Sequence, residues 1–253
     1  MKFALHRKFD GFSLVEMAIV LAIVGLLLGG LMPTLSAQME SQRINETRRQ
    51  MDEIKDALTG FAVINGRLPC PANGTLSSGS ELVTGSGVSL TCTLTKGVLP
   101  WASLGVNETD AWGRRFTYRV SQGGSSNFAD GTDGTGETSC PIAVGVSFQI
   151  CSIANLNIKA TSGGSDVATN IPASVVSHGR NGCGAYVPNG TQIPIAVGDG
   201  SGKDCDNAGS NQVENADDNN IFVSKYSTDF DDIIVWLSPN TLLNRMVAAG
   251  KLP

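Results

Sequence analysis

Charged side chains and histidines are scarce in this 253-residue chain, and their scarcity argues against several functions. Only 16% of the residues are charged and the formal net charge is −5, so bulk charge does not favour nucleic-acid binding. The only histidines are His6 and His178, and there is no H-E-x-x-H, G-x-S-x-G or lysine-bearing phosphate loop. Ser177 directly precedes His178, so the two side chains would point apart in a strand. We therefore do not expect an enzyme.

The cysteines also lack the spacing of a zinc site. They are Cys70, Cys92, Cys140, Cys151, Cys183 and Cys205. No C-x2-C pair or Cys/His cluster occurs, whereas an even number of cysteines in an exported domain indicates disulfides. The sequence leaves several pairings open, and the simplest joins neighbours: 70 with 92, 140 with 151, and 183 with 205. Glycine is abundant, at 30 residues, which is typical of a loop-rich extracellular domain when charge is low.

One long apolar run is present near the N-terminus. From Phe12 to Met32 the only polar side chains are Ser13 and Glu16. About 20 helical residues span about 30 Å, the thickness of a bilayer core, so this run predicts a membrane-spanning helix. Gly25, Gly29 and Gly30 interrupt the run, and Pro33 is predicted to end it.

Basic residues precede the apolar run and set its orientation. Lys2, Arg7 and Lys8 should stay cytoplasmic, so the chain beyond Pro33 should be exported. A carboxylate at the start of such a helix is costly in lipid, by roughly 2.5–3.5 kcal/mol, which marks Glu16 as functional.

The segment Gly11-Phe12-Ser13-Leu14-Val15-Glu16 resembles the processing site of type IV prepilins and type II secretion pseudopilins. The resemblance implies that a prepilin peptidase cleaves between Gly11 and Phe12 and methylates the new N-terminus. It also implies that Glu16 guides assembly with other pilin subunits and with the inner-membrane assembly machinery. Pro33 and Gly25 match pilin positions between which the helix can melt during packing; a kinked anchor without an assembly role is the alternative. An ordinary signal peptide would instead be cleaved after its apolar region.

Beyond Pro33 the apolar pattern becomes one-sided. The stripe comprises Ile44, Thr47, Met51, Ile54, Leu58 and Phe61, spaced by three and four residues, and the helix should stop near Gly60, Gly66 and Pro69. The predicted organisation is a leader at 1–11, a membrane and assembly half-helix at 12–33, an amphipathic half-helix at 34–64 and a globular β-rich head at 65–253. The fold class is α+β and pilin-like, with one long N-terminal helix packed on a disulfide-bonded antiparallel β-sheet head.

Short β-prone runs separated by turn residues fill the head. Strands are predicted at Arg115–Val120, Pro141–Ile150, Ile171–Val176, Asn220–Val223 and Asp231–Leu237, and a terminal helix at Thr241–Ala249.

Three head segments resemble the major pseudopilin, in the same order. Asp110-Ala111-Trp112-Gly113 with Tyr118 is similar to its "DPWG…Y" segment; Ser177-His178-Gly179-Arg180-Asn181-Gly182 to its "S-x-G-x-D/N-G" turn; and Asp231-Asp232-Ile233 with Trp236 to its closing motif. In that relative the turn and closing strand hold calcium, which implies Asp231 and Asp232 as candidate metal ligands. Asp217, Asp218 and Asp229 could add oxygens, since calcium takes about six to eight. A longer insertion between Gly182 and Asp231 departs from the family pattern. No cofactor is required on this interpretation, and calcium is possible.

Two functions follow as hypotheses. The first is a structural subunit of a type IV pilus or type II secretion pseudopilus, held in the inner membrane with a periplasmic head before assembly. The second is a minor tip pilin whose loops act as an adhesin or substrate-binding module.

Overall fold

In the computed structural model, the described residues are 12–123, 127–131, 145–195, 210–224 and 230–252, with backbone alone for residues 27–35 and 210. The chain divides into two compact units, Met1–Arg43 and Ile44–Pro253. The leader 1–11, Cys140 and Cys205 lie outside the described residues.

Helix α1 runs without a break from Leu14–Asn65, over 52 residues. The prediction of one long N-terminal helix is confirmed: Pro33 ends the apolar run, but its backbone is helical and lies well inside α1. Proline removes one hydrogen bond, but its fixed φ near −65° is itself compatible with a helix. Within the described residues, no helix combines the length and the apolar character required to cross a membrane.

The amphipathic stripe of α1 is confirmed in the second unit. Thr47, Met51, Ile54 and Leu58 are at most 1% exposed. Met51, Ile54 and Leu58 pack in the main core with strand residues such as Val175. The helix stops at Asn65, as predicted, because Gly66 has a positive φ of 70° and a Cβ there would collide with the carbonyl of Gly145.

The head contains short strands and three further helices among its described residues. The strands are β1 Val83–Thr84, β2 Thr91–Cys92, β3 Lys96–Val98, β4 Thr117–Val120, β5 Leu156–Lys159, β6 Asp166–Ile171, β7 Ala173–Ser177, β8 Ile221–Val223 and β9 Ile233–Trp236. The helices are α2 Trp101–Leu104, α3 Ser210–Ala216 and α4 Pro239–Ala248.

Three sheets organise these strands. An antiparallel sheet has the order β3-β4-β7-β9, a second sheet has the order β6-β5-β8, and β1 pairs with β2. The prediction of antiparallel pairing holds except for β5 and β8, which are parallel. The side chains of Val175 and Val176 alternate between the core shared with α1 and a smaller core shared with β5 and β8. The four-stranded sheet is therefore covered on both faces.

The predicted strand at Pro141–Ile150 was wrong over residues 145–150, which are not part of a strand; residues 141–144 are outside the described part. Val146 and Phe148 are buried, and Phe148 stacks on Phe128 with ring centroids 4.8 Å apart. The alternating apolar pattern predicted burial correctly. The pattern does not show whether a partner strand is present. Here the N–H of Ser147 bonds instead to the carbonyl of Gly66 at the end of α1.

Disulfide bonding is confirmed for the described cysteines. Cys70 bonds to Cys92, as the nearest-neighbour pairing predicts. Cys151 and Cys183 are also disulfide-bonded.

Candidate functional site: the N-terminal motif and the head junction

Helix α1 begins with a reciprocal pair of hydrogen bonds. The N–H of Glu16 donates to Ser13 Oγ at 3.2 Å, and the N–H of Ser13 donates to Glu16 Oε2 at 2.9 Å. This is a capping box, in which a serine and a glutamate three residues later satisfy amides that the helix leaves unpaired. The sequence analysis assigned Glu16 to assembly alone and missed this local role, although the S-x-x-E spacing signals it. Gly11, on the other side of the predicted cleavage point, is not described.

The first turns of α1 expose large apolar side chains. Phe12, Leu14 and Leu26 are 84%, 87% and 78% exposed. A Cβ at Gly25 would meet nothing within 4 Å. A contiguous exposed apolar surface of this kind marks contact with lipid or with another protein.

In the head, the three segments with pseudopilin-like motifs meet at one place. We call this the head junction and define it by residues 110–114, 177–182 and 231–232. The first segment is also tied to α1, because the N–H of Ala111 donates to Oγ1 of the buried Thr47 at 3.2 Å.

Asp110 organises the first segment of the junction. Its Oδ1 accepts the N–H groups of Trp112 and Arg114, each at 3.0 Å, and its Oδ2 accepts the hydroxyl of Ser177 at 2.6 Å. Asp110 is 4% exposed, and burial raises the pKa of its carboxyl despite these hydrogen bonds. One carboxylate therefore fixes a turn and joins it to strand β7. The Ser177 hydroxyl bonds to Asp110 and is not shown bonding to His178.

The glycines of the second segment are required by close packing. Gly179 and Gly182 have positive φ angles of 56° and 70°. A Cβ at Gly179 would collide with the backbone of Asp231, and one at Gly182 with the side chain of Arg114. The guanidinium of Arg114 in turn donates to the carbonyl of Gly179. The positive φ at Gly113, which is 78°, and at Gly182 confirms the turns expected there.

Asp231 closes the junction. The backbone N–H of Asn181 donates to its Oδ2 at 2.9 Å, and the side-chain amide of Asn181 donates to its Oδ1 at 2.5 Å. Gln212 on α3 adds a longer bond to Oδ1 at 3.4 Å.

Asp232 lies deeper and meets a buried histidine. Its Oδ2 accepts the side-chain amide of Asn215 at 2.9 Å and is 3.7 Å from Nδ1 of His178. Nε2 of His178 is 2.8 Å from Oγ1 of Thr117. This order of hydroxyl, imidazole and carboxylate resembles a proton relay, but Thr117, His178 and Asp232 are all at most 5% exposed. Thr117 lies in β4, His178 directly follows β7 and Asp232 directly precedes β9, so the three side chains are buried at one end of these neighbouring strands.

Burial sets the charge states of this pair. It raises the pKa of Asp232 well above the ordinary value, with the nearby charge of Asp231 as a further cause. It also lowers the pKa of His178 to about 3, assisted by the charges of Lys96 and Arg114. Burial thus favours the neutral form of both groups.

The residues at the junction do not fit a calcium shell. Calcium needs several oxygen ligands, whereas Asp231 is surrounded by N–H donors and Asp232 faces an amide and an imidazole. Asp218 instead pairs with Arg119 at 2.5 Å, and Asp217 accepts from Asn219 at 2.7 Å. No group of three or more His, Cys, Asp or Glu side chains within the described ranges could hold a metal ion.

Comparisons with known proteins point to the N-terminus. Residues 6–32 match the family described as the prokaryotic N-terminal methylation motif. Neither curated proteins nor solved structures show a significant match to the chain. The match spans Gly11, Phe12 and Glu16, the residues on which the resemblance was first drawn. The chain therefore carries the prokaryotic N-terminal methylation motif, the signature of prepilin-type proteins of type IV pili and pseudopili.

Proposed function

We propose that this chain is a structural subunit of a type IV pilus or a type II secretion pseudopilus. The observation that carries the proposal is the continuity of the methylation motif with an exposed apolar helix start. Between Phe12 and Met39 the only charged residue is Glu16. A helix of this composition is suited to lipid before assembly and to a bundle of like helices afterwards.

Processing creates the group that Glu16 recognises. Cleavage between Gly11 and Phe12 by the prepilin peptidase leaves a methylated amine on Phe12, which remains positively charged. Two unit charges about 4 Å apart interact by about 4 kcal/mol at an effective dielectric near 20, before desolvation. Attraction between Glu16 of an incoming subunit and Phe12 of its neighbour sets the axial register of the bundle. The capping box holds the Glu16 side chain at the start of α1, next to this N-terminus.

The location follows from the same steps. The precursor is held in the inner membrane by residues 12–33 with its head in the periplasm, and the assembly machinery moves it into the filament. The disulfide between Cys70 and Cys92 suits an oxidising compartment.

Mass spectrometry of the mature protein tests the proposal. We expect a chain that begins at N-methylated Phe12, and we expect Gly11→Leu to remain uncleaved in the membrane fraction. A mature chain that begins at Met1, or beyond Met32, would refute it.

One feature of the head favours a minor tip subunit as a second candidate. A groove of about 540 Å³ lies between α1, β9 and the start of α4, and Lys55, Trp236 and Thr241 are among its lining residues. A concave surface of this size can hold a ligand. Quantifying the subunits in sheared filaments separates the candidates, since a major subunit dominates the preparation and a tip subunit is present in traces.

A further inference from the structure

Helix α3 places two amide side chains on the adjacent aspartates of the head junction. Gln212 Nε2 donates to Asp231 Oδ1 at 3.4 Å, and Asn215 Nδ2 donates to Asp232 Oδ2 at 2.9 Å. Both amides are buried, with exposures of 4% for Gln212 and 0% for Asn215. The helix belongs to the long insertion between Gly182 and Asp231, the part of the head that departs from the pseudopilin pattern.

These amides occupy directions from which a cation would approach Asp231 Oδ1 and Asp232 Oδ2. Together with Asn181, they direct three N–H groups at Asp231 and one at Asp232. A donor hydrogen carries partial positive charge, so it satisfies a carboxylate lone pair and repels a cation at the same point. Adjacent carboxyl groups need such partners, and here the protein supplies them for both oxygens of Asp231 and for Oδ2 of Asp232.

We propose that Gln212 and Asn215 take the structural place of a calcium ion at Asp231 and Asp232, so that the inserted helix closes the head without metal.

The helix is anchored well enough to perform this role. Asn215 makes two further bonds to strand β8, since its Oδ1 accepts the N–H of Val223 at 2.7 Å and its Nδ2 donates to the carbonyl of Val223 at 3.1 Å. Lys96 on β3 donates to the carbonyls of Asn215 and Asp217 at the C-terminal end of α3, where a cation is favoured. The amides are therefore fixed from two sides.

Thermal unfolding of the full-length protein in detergent tests this inference, with calcium chloride as the probe. The wild type should have the same Tm in millimolar calcium and in chelator. Asn215→Ala should lower the Tm in chelator by roughly 5 °C or more, because it leaves Asp232 and the backbone of Val223 without partners. Asn244→Ala, which removes an exposed amide from α4, is the matched control and should leave the Tm unchanged.

Two results would overturn the inference: a wild-type Tm that rises in calcium, or an Asn215→Ala protein that melts at the wild-type temperature. If Asn215→Ala does not fold, Gln212→Ala replaces it, and its Tm should fall by a few degrees because only one long bond is lost. The measurement uses purified protein, so its outcome is separate from that of the filament proposal.

Discussion

The two units of this chain distribute polarity in opposite ways. In the described part of the N-terminal unit, Leu14 and Leu21 are 87% and 67% exposed, and a single carboxylate lies among them. In the head, Arg115 is 1% exposed, and Asp232 and Asn215 are almost fully buried. Apolar side chains face outward in the first unit, and polar side chains face inward in the second.

The difference shows which unit needs partners. Covering exposed apolar surface with lipid or protein is favourable by about 25 cal/mol for each Å². The first unit is therefore incomplete as a monomer. Many buried polar groups of the head have internal partners. Arg115, for example, bonds to Glu108 at 2.7 Å and to the carbonyls of Gly74, Leu76 and Pro188 at 2.7–2.9 Å. The first unit exposes an apolar surface that a partner or lipid can cover, and the second places many of its polar contacts inside its own fold.

Removing the one charge of the apolar run, Glu16, should have the largest effect. Glu16→Ala should be cleaved and inserted normally, but its incorporation into filaments should fall by about tenfold or more, because the attraction to Phe12 of the neighbour is lost. Immunoblots of sheared filaments against whole cells measure this ratio. Glu53→Ala, an exposed glutamate further along α1, is the control. Assembly of Glu16→Ala at the wild-type level would contradict the role given to this carboxylate.

In the head, removing a buried carboxyl group should lower the stability of the fold, whereas the Glu16 substitution should affect assembly. Asp110→Ala leaves the Ser177 hydroxyl and two backbone N–H groups without an acceptor, and should lower the free energy of unfolding by about 3–5 kcal/mol. Urea unfolding followed by tryptophan fluorescence measures the loss. Asp110→Asn keeps one acceptor oxygen and should lose less. Equal stability of Asp110→Ala and wild type would show that the junction does not depend on Asp110.

A smaller effect concerns Lys96, a partly buried cation of the head. Burial lowers the pKa of Lys96 to about 8 from an ordinary value of 10.5. Between these values the unfolded chain binds a proton that the folded chain does not, so stability should rise with pH, by about 2–3 kcal/mol between pH 7 and pH 10. Lys96→Met should abolish the rise, whereas the partly exposed Lys55→Met should not. The pH dependence of urea unfolding provides the measurement; an unchanged slope in Lys96→Met would contradict this assignment.

Much of the fold could be predicted wherever the signal is local. The stripe of Met51, Ile54 and Leu58 predicted the buried face of α1, and Gly66 predicted its end. Strand β9 and helix α4 lie within two residues of their predicted bounds. Residues 145–150 were misjudged because alternation reports burial, whereas strand identity needs a partner from elsewhere in the chain.

The residues of the candidate site also fall into two groups, those that could be predicted from the sequence and those that could not. Gly11, Phe12 and Glu16 could be recognised from sequence because cleavage and methylation act on a short continuous segment, and the family match covers that segment. The partners of Asp231 and Asp232 could not be recognised from sequence, since Gln212 and Asn215 reach them only after α3 packs against β8.

The sequence alone determined the methylation motif, the apolar run behind it and the amphipathic half of α1, because each depends on the order of nearby residues. Only the tertiary structure decided how the head satisfies its buried polar groups. Those bonds join residues far apart in the chain, such as Asp110 with Ser177 and Asn215 with Asp232. A hydrogen bond forms only once folding has brought its donor and acceptor within about 3 Å.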